Sequence, residues 1–216
     1  MQNVFYIRVI VMEEKDLLPK VHELFLRYGI KSLTMDDISR SLSISKKTLY
    51  KFVSDKADLV SKVMEFTCEM DRSFTTSILQ NFDNAMEELV EITKFVSKMF
   101  RQMHPSVHYD LRKYYPEAWQ KMENLKTNYH YKVIRKNLEL GMEQELYRKN
   151  INTHIIARLY IEKMDIVFNS EAFPTTEYRF DEIFVEHMRY HIHGIASDKG
   201  RAYLKQLMQK DNLNLI

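Results

Sequence analysis

The chain has 216 residues, 45% of them hydrophobic, with thirteen methionines but only four glycines, four prolines and one cysteine. That length accommodates one or two domains with a buried core, and the scarcity of Gly and Pro predicts an all-α protein while leaving no material for a Gly-rich phosphate loop. A formal charge of +2 confines any nucleic-acid contact to a local patch, and the single Cys68 excludes an internal disulfide and fits a reducing compartment, with the cytoplasm as default.

The opening MQNVFYIRVIV is apolar but interrupted by Arg8. No small-residue cleavage site or spanning-length apolar run follows, so neither a signal peptide nor a membrane helix is expected. Residues 1–11 read as a dispensable extension before a start at Met12. A first helix then carries Leu17, Leu18, Val21, Leu24, Phe25 and Tyr28 on one face, with Asp16 as the expected N-cap, Pro19 in the first turn and Gly29 just past the end.

Residues 34 to 60 concentrate helix-start signals. Thr34 and Asp37 form a cap for a short second helix, Ser45 caps a third running from Lys46 to roughly Phe52, and Asp55 with Asp58 starts a fourth. Two short helices joined by a tight connection and braced by longer ones are a helix-turn-helix arrangement. Leu49 and Phe52 turn inward to meet Ile38, Leu42 and Ile44. Lys46, Lys47, Thr48 and Lys51 are left outside with Tyr50 at the border, and between Arg40 and Lys56 five basic residues face one acid. Lysine can donate to guanine O6 and N7, threonine can touch a thymine methyl, and a tyrosine hydroxyl can reach phosphate. The alternative, a compact subdomain docking on protein, suits an exposed lysine face poorly.

The run Leu33-Thr34-Met35-Asp36-Asp37-Ile38, then Ile44-Ser45-Lys46-Lys47-Thr48-Leu49-Tyr50, then Asp55-Lys56 and Leu59 resembles the N-terminal DNA-binding domain of the tetracycline-repressor (TetR) family. The resemblance covers about fifty residues. It implies that Thr34, Tyr50 and Lys56 grip phosphates and that Lys46, Lys47, Thr48 and Lys51 face bases or nearby backbone, with Ser45 at the helix start completing the DNA-binding set. Lys47 stands where Gly or Ala is frequent and Val53 where Phe is frequent; the first bears on operator sequence, the second on local packing.

Further helices are expected over 56–80, 84–103, 106–114, 116–140, 153–171, 178–195 and 198–210. The aromatic and polar-tipped middle, from His104 to Trp119, offers a small-molecule pocket through His104, His108, Tyr109, Tyr114 and Trp119, extended by Phe95, Met99, Met103, Met122 and Tyr129. The same side chains also suit an ordinary core. Helix 153–171 is apolar around most of its circumference, and the next repeats apolar residues at three- and four-residue steps like a coiled-coil seam. By resemblance to the family, two late helices per subunit build a dimer, which places Ile156, Tyr160, Val167, Phe180, Ile183, Phe184, His187, Met188, His191, Ile192 and Ile195 at the interface. Gly141 to Arg148 is similar to the family's junction before the first of these, with Glu145 where a second Gly is frequent. His187 and His191 stand four apart but lack a third ligand, so packing rather than metal is expected. On an interface they would charge as pH falls through about 6.5 and weaken association. Cys68 lacks an activating neighbour.

These readings converge on three segments: the extension 1–11, a helix-turn-helix domain over 12–60, and a helical regulatory and dimerisation domain over 61–216. The expected function is that of a sequence-specific, dimeric transcriptional repressor, cytoplasmic, released from a near-palindromic operator in double-stranded DNA by an unidentified small-molecule effector. No enzyme chemistry, cofactor, metal or membrane partner is expected. The alternatives are a ligand-independent or architectural DNA-binding protein and a metal sensor using the histidines.

Overall fold

A computed structural model describes residues 13–210, so the extension 1–11 lies outside the described residues. The first helix, α1 (Glu14–Tyr28), begins earlier than its sequence suggests. Glu13 occupies the N-cap position without a side-chain cap bond, Asp16 lies inside the helix, and Pro19 falls in the second turn. The helix ends at Gly29, whose N–H donates to the Phe25 carbonyl at φ 81°, a conformation that a side chain disfavours.

α2 (Met35–Ser41), α3 (Lys46–Leu49) and α4 (Lys56–Asn81) follow, each with the expected cap. Asp37 N–H donates to Thr34 Oγ1 at 3.1 Å, Thr48 N–H to Ser45 Oγ at 3.0 Å, and Asp58 N–H to Asp55 Oδ1 at 2.8 Å. Each bond satisfies an amide that the first helical turn leaves unpaired. α3 is one turn rather than two: Lys51 N–H already donates to the Thr48 carbonyl and Phe52 N–H to Leu49, the tighter three-residue step with which helices close.

α5 (Ala85–Gln102), α6 (Ser106–Tyr114) and α7 (Pro116–Asn124) lead into a π-helical stretch, Leu125–His130, that continues as α8 (Tyr131–Glu143). α9 (Thr153–Lys163) tightens into a 3-10 turn over Met164–Phe168, short of the expected residue 171. α10 (Phe180–Ile195) and α11 (Asp198–Lys210) complete the described chain. The described residues contain no strand, and no helix among them is long and apolar enough to cross a membrane.

Two hydrophobic clusters organise these helices. Leu17, Val21, Phe25, Ile38, Leu49 and Leu59 anchor the first, which also takes in Val53 and reaches Val107, Leu111 and Ala118 of α6 and α7. The second is centred on α5, α8, α9 and α10, with Leu89, Leu138, Phe184, Met188 and Ile192 at most 1% exposed. α4 crosses position 60 without a break. Its first turns give Leu59, Val60, Val63 and Met64 to the first cluster.

Tyr147 fastens the second cluster. Its hydroxyl lies 3.0 Å from both the Ala85 carbonyl and Asn137 Oδ1, and Asn137 in turn donates to Glu88 at 2.8 Å. Gly141 lies against the Tyr147 ring so closely that a Cβ there would overlap it. Glu145, where the family pattern favours glycine, adopts φ 62°.

Candidate DNA-reading face and ligand cavity

The capped start of α3 turns Lys47 and Lys51 into solvent, where neither has a hydrogen-bond or ion-pair partner among the described residues. Tyr50 is also exposed. Lys46 differs: its ammonium lies 3.0 Å from Asp36 of α2, a hydrogen bond that raises its pKa and ties the two helices together. Thr48 Oγ1 shares a 2.8 Å hydrogen bond with Ser45 Oγ, so both hydroxyls serve the cap as well as facing outward. Thr34 is likewise exposed while its hydroxyl caps α2.

Lys56 departs most from expectation. Its half-buried ammonium donates to the carbonyls of Lys31 and Leu33; burial lowers its pKa, against the pull of Asp110 and Asp37. In this conformation it staples α4 to the turn before α2 instead of pointing at a phosphate. The fully buried Leu49 fixes how α3 is presented.

The same turn is held from the other side by α6. Asp110, buried, accepts from the backbone N–H groups of Ile30 and Lys31 at 3.2 and 2.9 Å and from Ser106 Oγ at 3.1 Å. His104 N–H donates to the Leu26 carbonyl at 2.6 Å. Two residues before Asp110 on the same helix, His108 turns the other way, into a cavity.

That cavity, of about 190 Å³, lies among α4 to α9. Of the residues expected there, Phe95, Met99, His108, Trp119 and Met122 line it. The other five do not. Met103 packs between the two hydrophobic clusters, and His104 hydrogen-bonds Ser106. Tyr109 is 54% exposed beside Lys113, Tyr114 receives a 2.8 Å hydrogen bond from Lys31, and Tyr129 pairs with Thr76 at the surface. The reason is helical geometry. α6 commits Val107 and Leu111 to the first cluster and Asp110 to the turn before α2, so its tyrosines face outward.

The sequence reading missed most of the wall, including all of its α4 side. Thr67, Cys68, Asp71, Phe74 and Thr75 of α4 line the cavity at three- and four-residue steps, a second stripe continuing where the first-cluster stripe ends. Phe74 stacks on Phe95 with ring centroids 3.7 Å apart. Burial pushes the Cys68 thiol up to about 11, which leaves it unreactive. Two polar groups sit in the wall: His130 meets Asp71 at 2.8 Å, and Lys126 meets Glu123 at 3.0 Å and Asp165 at 2.8 Å. Burial alone would lower the Lys126 pKa, but its bonds to the two carboxylates outweigh it and raise it. His108 stacks on Phe168 at 4.1 Å and meets Trp119 edge-on at 4.8 Å; burial pushes its pKa down to about 4. These three rings, with Glu123 and Asp165, also border a wider outer cleft of about 710 Å³.

The expected seam is an internal one. Val167, Phe180, Ile183, Phe184, Met188, Ile192 and Ile195 are all buried within the chain's own core, where α10 packs on α5, and are therefore unavailable to a second subunit. Tyr160 is buried in the cavity wall, with His187 and His191 against its ring. Burial lowers the pKa of both histidines, that of His191 to about 3, so they do not charge near pH 6.5 as expected. Ile156 is half-buried against the second cluster. α9 exposes Ile155 and Leu159, four residues apart, and the 3-10 turn after it exposes Ile166, while Tyr190 of α10 is 74% exposed with Lys163 over its ring. Among the described residues no group of three or more His, Cys, Asp or Glu could hold a metal ion.

Residues 20–63, spanning the reading face, match the model of the family described as bacterial regulatory proteins, tetR family. Over 188 residues the chain is 24% identical to the uncharacterized HTH-type transcriptional regulator YvaF of Bacillus subtilis (strain 168), covering 86% of this chain and 97% of that one. The fold is shared with a transcriptional regulator from Cytophaga hutchinsonii ATCC 33406 at TM-score 0.66 and 19% identity, covering 85% and 98% of the two chains. It is also shared with one from Saccharomonospora viridis solved in complex with choline, at TM-score 0.65 and 16% identity, covering 84% and 96%.

Proposed function

We propose, from the premise that the chain belongs to the tetR family of bacterial DNA-binding transcriptional regulators and is not an enzyme, that it acts as a dimeric repressor released from DNA by a small molecule. Each subunit sets α3 in a major groove, with Lys47 and Lys51 free to reach bases or backbone and Lys46, Thr48, Tyr50, Ser45 and Thr34 around them. Two such heads fit the half-sites of a near-palindromic operator. A second copy covers the exposed apolar side chains of Ile155, Leu159, Ile166 and Tyr190, which otherwise stand in water. Acting on bacterial DNA places the protein in the cytoplasm.

The observation that carries ligand control is the continuity of α4. One helix of 26 residues, about 39 Å long, gives its first turns to the core beneath the reading face and its later turns to the cavity wall. α6 repeats the arrangement on a smaller scale, with His108 in the cavity and Asp110 on the turn before α2. An occupant that favours one disposition of α4 and α6 thereby favours one separation of the two heads, by as much as its affinities for the two states differ. The choline complex of the Saccharomonospora viridis protein supports the reading that this fold houses small molecules.

Selection of bound duplexes from random DNA tests the reading. The expected outcome is an enriched near-palindrome protected by a dimer. Enrichment of no sequence, or of a lone half-site held by a monomer, would count against it.

A further inference from the structure

The cavity's chemistry narrows the occupant, an inference that rests on the ligand-responsive reading above. Its body is aromatic and aliphatic, with Phe74 stacked on Phe95 and Phe100 and Trp119 also in the wall. Its charge is not neutral. The acids lining it are Asp71, Glu123 and Asp165, and the bases are Lys126 and His130, while burial keeps His108 neutral. Even with His130 counted as a cation, one negative charge is left over. Lys126 is already held by both Glu123 and Asp165, so no base is free to receive an anion.

Three polar groups in the wall bear no hydrogen bond among the described residues: the Tyr160 hydroxyl, the Trp119 indole N–H and the His108 ring. Tyr160 is 5% exposed and lines the cavity, and its hydroxyl has no hydrogen-bond partner among the described residues. A cavity-lining hydroxyl with no protein partner is open to a hydrogen bond from a ligand. Asp71 is its electrostatic neighbour, acting on the Tyr160 phenol. The carboxylate uses Oδ1 for His130 at 2.8 Å and Thr75 at 3.4 Å, while Oδ2 bears no hydrogen bond among the described residues. An unused carboxylate oxygen, an unused hydroxyl, surplus negative charge and aromatic rings together match one kind of group: a cation carrying N–H donors.

We infer that the cavity binds a small aromatic or alicyclic amine in its protonated form, with the ammonium on Asp71 Oδ2 and the Tyr160 hydroxyl and the apolar body between Phe95 and Trp119. The volume of about 190 Å³ lies below that of drug-sized pockets, which keeps the amine small. A carboxylate ligand would meet three acids, and a neutral one would leave the surplus charge unpaired.

Calorimetric titration of the full chain with 2-phenylethylamine, 2-phenylethanol and 3-phenylpropanoate tests this. The amine is expected to bind at least about tenfold more tightly than either analogue. Asp71→Asn should erase that margin while leaving binding of the alcohol nearly unchanged, and Tyr160→Phe should weaken the amine several-fold. Melting curves of both variants establish that they fold, and the three-probe comparison on the natural chain does not depend on them. Equal or tighter binding of the alcohol or the carboxylate overturns the amine assignment and leaves the ligand cavity standing. An amine margin that survives Asp71→Asn overturns the placement of the ammonium. Absence of saturable binding by all three probes overturns the amine assignment and leaves the ligand-responsive reading to be decided with other occupants.

Discussion

The reading head and the cavity are both helical, but their polar groups find partners at different distances along the chain. In the head, the three caps Thr34–Asp37, Ser45–Thr48 and Asp55–Asp58 each close over three residues. In the cavity, Asp71 reaches His130 across 59 positions and Lys126 reaches Asp165 across 39. Chemistry that closes within one helical turn is dictated by local geometry, whereas chemistry that closes across helices depends on how whole elements pack. The local caps can therefore hold the reading side chains whatever the cavity holds, while the longer-range contacts of Lys56 and Asp110 seat the head on α4 and α6.

The sharpest test of that separation is to strip the head of its free cations. Lys47→Ala with Lys51→Ala should cost about 2 to 6 kcal/mol of operator binding per head, taking about 1 to 3 kcal/mol for each base contact, and flatten the logarithmic salt slope if either lysine meets phosphate. Melting should move little, because both side chains are exposed and unpartnered. Lys56→Ala belongs to the opposite class despite its place in the motif. By removing donors from the carbonyls of Lys31 and Leu33 it should lower stability by roughly 1 kcal/mol. Binding and melting measured side by side decide the matter: a Lys56 variant that melts normally while losing DNA would return this lysine to the phosphate-gripping role.

Next in size is a change confined to the second cluster. Gly141→Ala drives a methyl into the Tyr147 ring and should cost about 1 to 3 kcal/mol through overpacking, while Tyr147→Phe, which deletes only the hydroxyl shared with Ala85 and Asn137, should cost about 1 kcal/mol or more. Denaturant melts would measure both. Binding of the folded fraction to DNA should persist, and a loss of binding out of proportion to unfolding would show that the two regions are not separable.

These contrasts also explain what the sequence could disclose. Helix positions, the three caps and the outward lysines follow from spacing within a turn or two, and they stand where spacing puts them. The exceptions in the head, the late start assigned to α1 and the second turn assigned to α3, concern helix ends, where local preferences nearly balance. In the regulatory half the periodicity of α10 correctly marked an apolar seam but not its partner. Phe184 and Met188 pack on their own α5, a fact absent from a pattern that looks the same for internal and intermolecular packing. Tyr109 and Tyr114 carry the aromatic chemistry of a pocket, yet α6 spends its inward positions on Val107, Asp110 and Leu111. The α4 stripe from Thr67 to Thr75 was legible as periodicity, but without knowing what faces it the stripe has no function.

Acid provides a milder perturbation, which reaches the cavity half through His108 and His191 and the head through His22 of α1, whose pKa burial also lowers. Burial sets the folded pKa of His108 at about 4 and of His191 at about 3, below the value of about 6.5 expected in the unfolded chain. Their sign is fixed by which state binds protons. Above pH 6.5 neither state is protonated and stability does not depend on these groups. As pH falls below 6.5 the unfolded chain takes up protons that the folded one refuses, so stability drops by about 1.4 kcal/mol per pH unit for each histidine until the folded values are reached. His191→Leu should remove one such slope between pH 6.5 and 5. Urea titrations across that range would show it, and an unchanged slope in the variant would mean that His191 already charges in the folded protein.

The smallest expected effect lies in the turn between α2 and α3, where the head departs from its own local logic. Ser43 sits at φ 56°, a left-handed conformation costing a residue with a Cβ about 1 to 2 kcal/mol relative to its preferred regions. The backbone bonds that define the turn, Ser43 N–H to the Arg40 carbonyl at 3.1 Å and Ile44 N–H to Ser39 at 3.0 Å, use no side-chain atom. Ser43 is exposed and its hydroxyl has no hydrogen-bond partner among the described residues, so glycine forfeits no contact. Against the relief stands the greater freedom of glycine in the unfolded chain, roughly 0.5 to 1 kcal/mol. Ser43→Gly should therefore raise stability by about 0.5 to 1 kcal/mol and leave operator affinity unchanged, since α3 keeps its cap and its buried Leu49. A fall in melting temperature would mean that the serine stabilises the turn through solvent or backbone contacts that its geometry does not suggest. A rise accompanied by weaker DNA binding would be more informative still, because it would show that a stiff connection between α2 and α3 is part of how the head reads its operator.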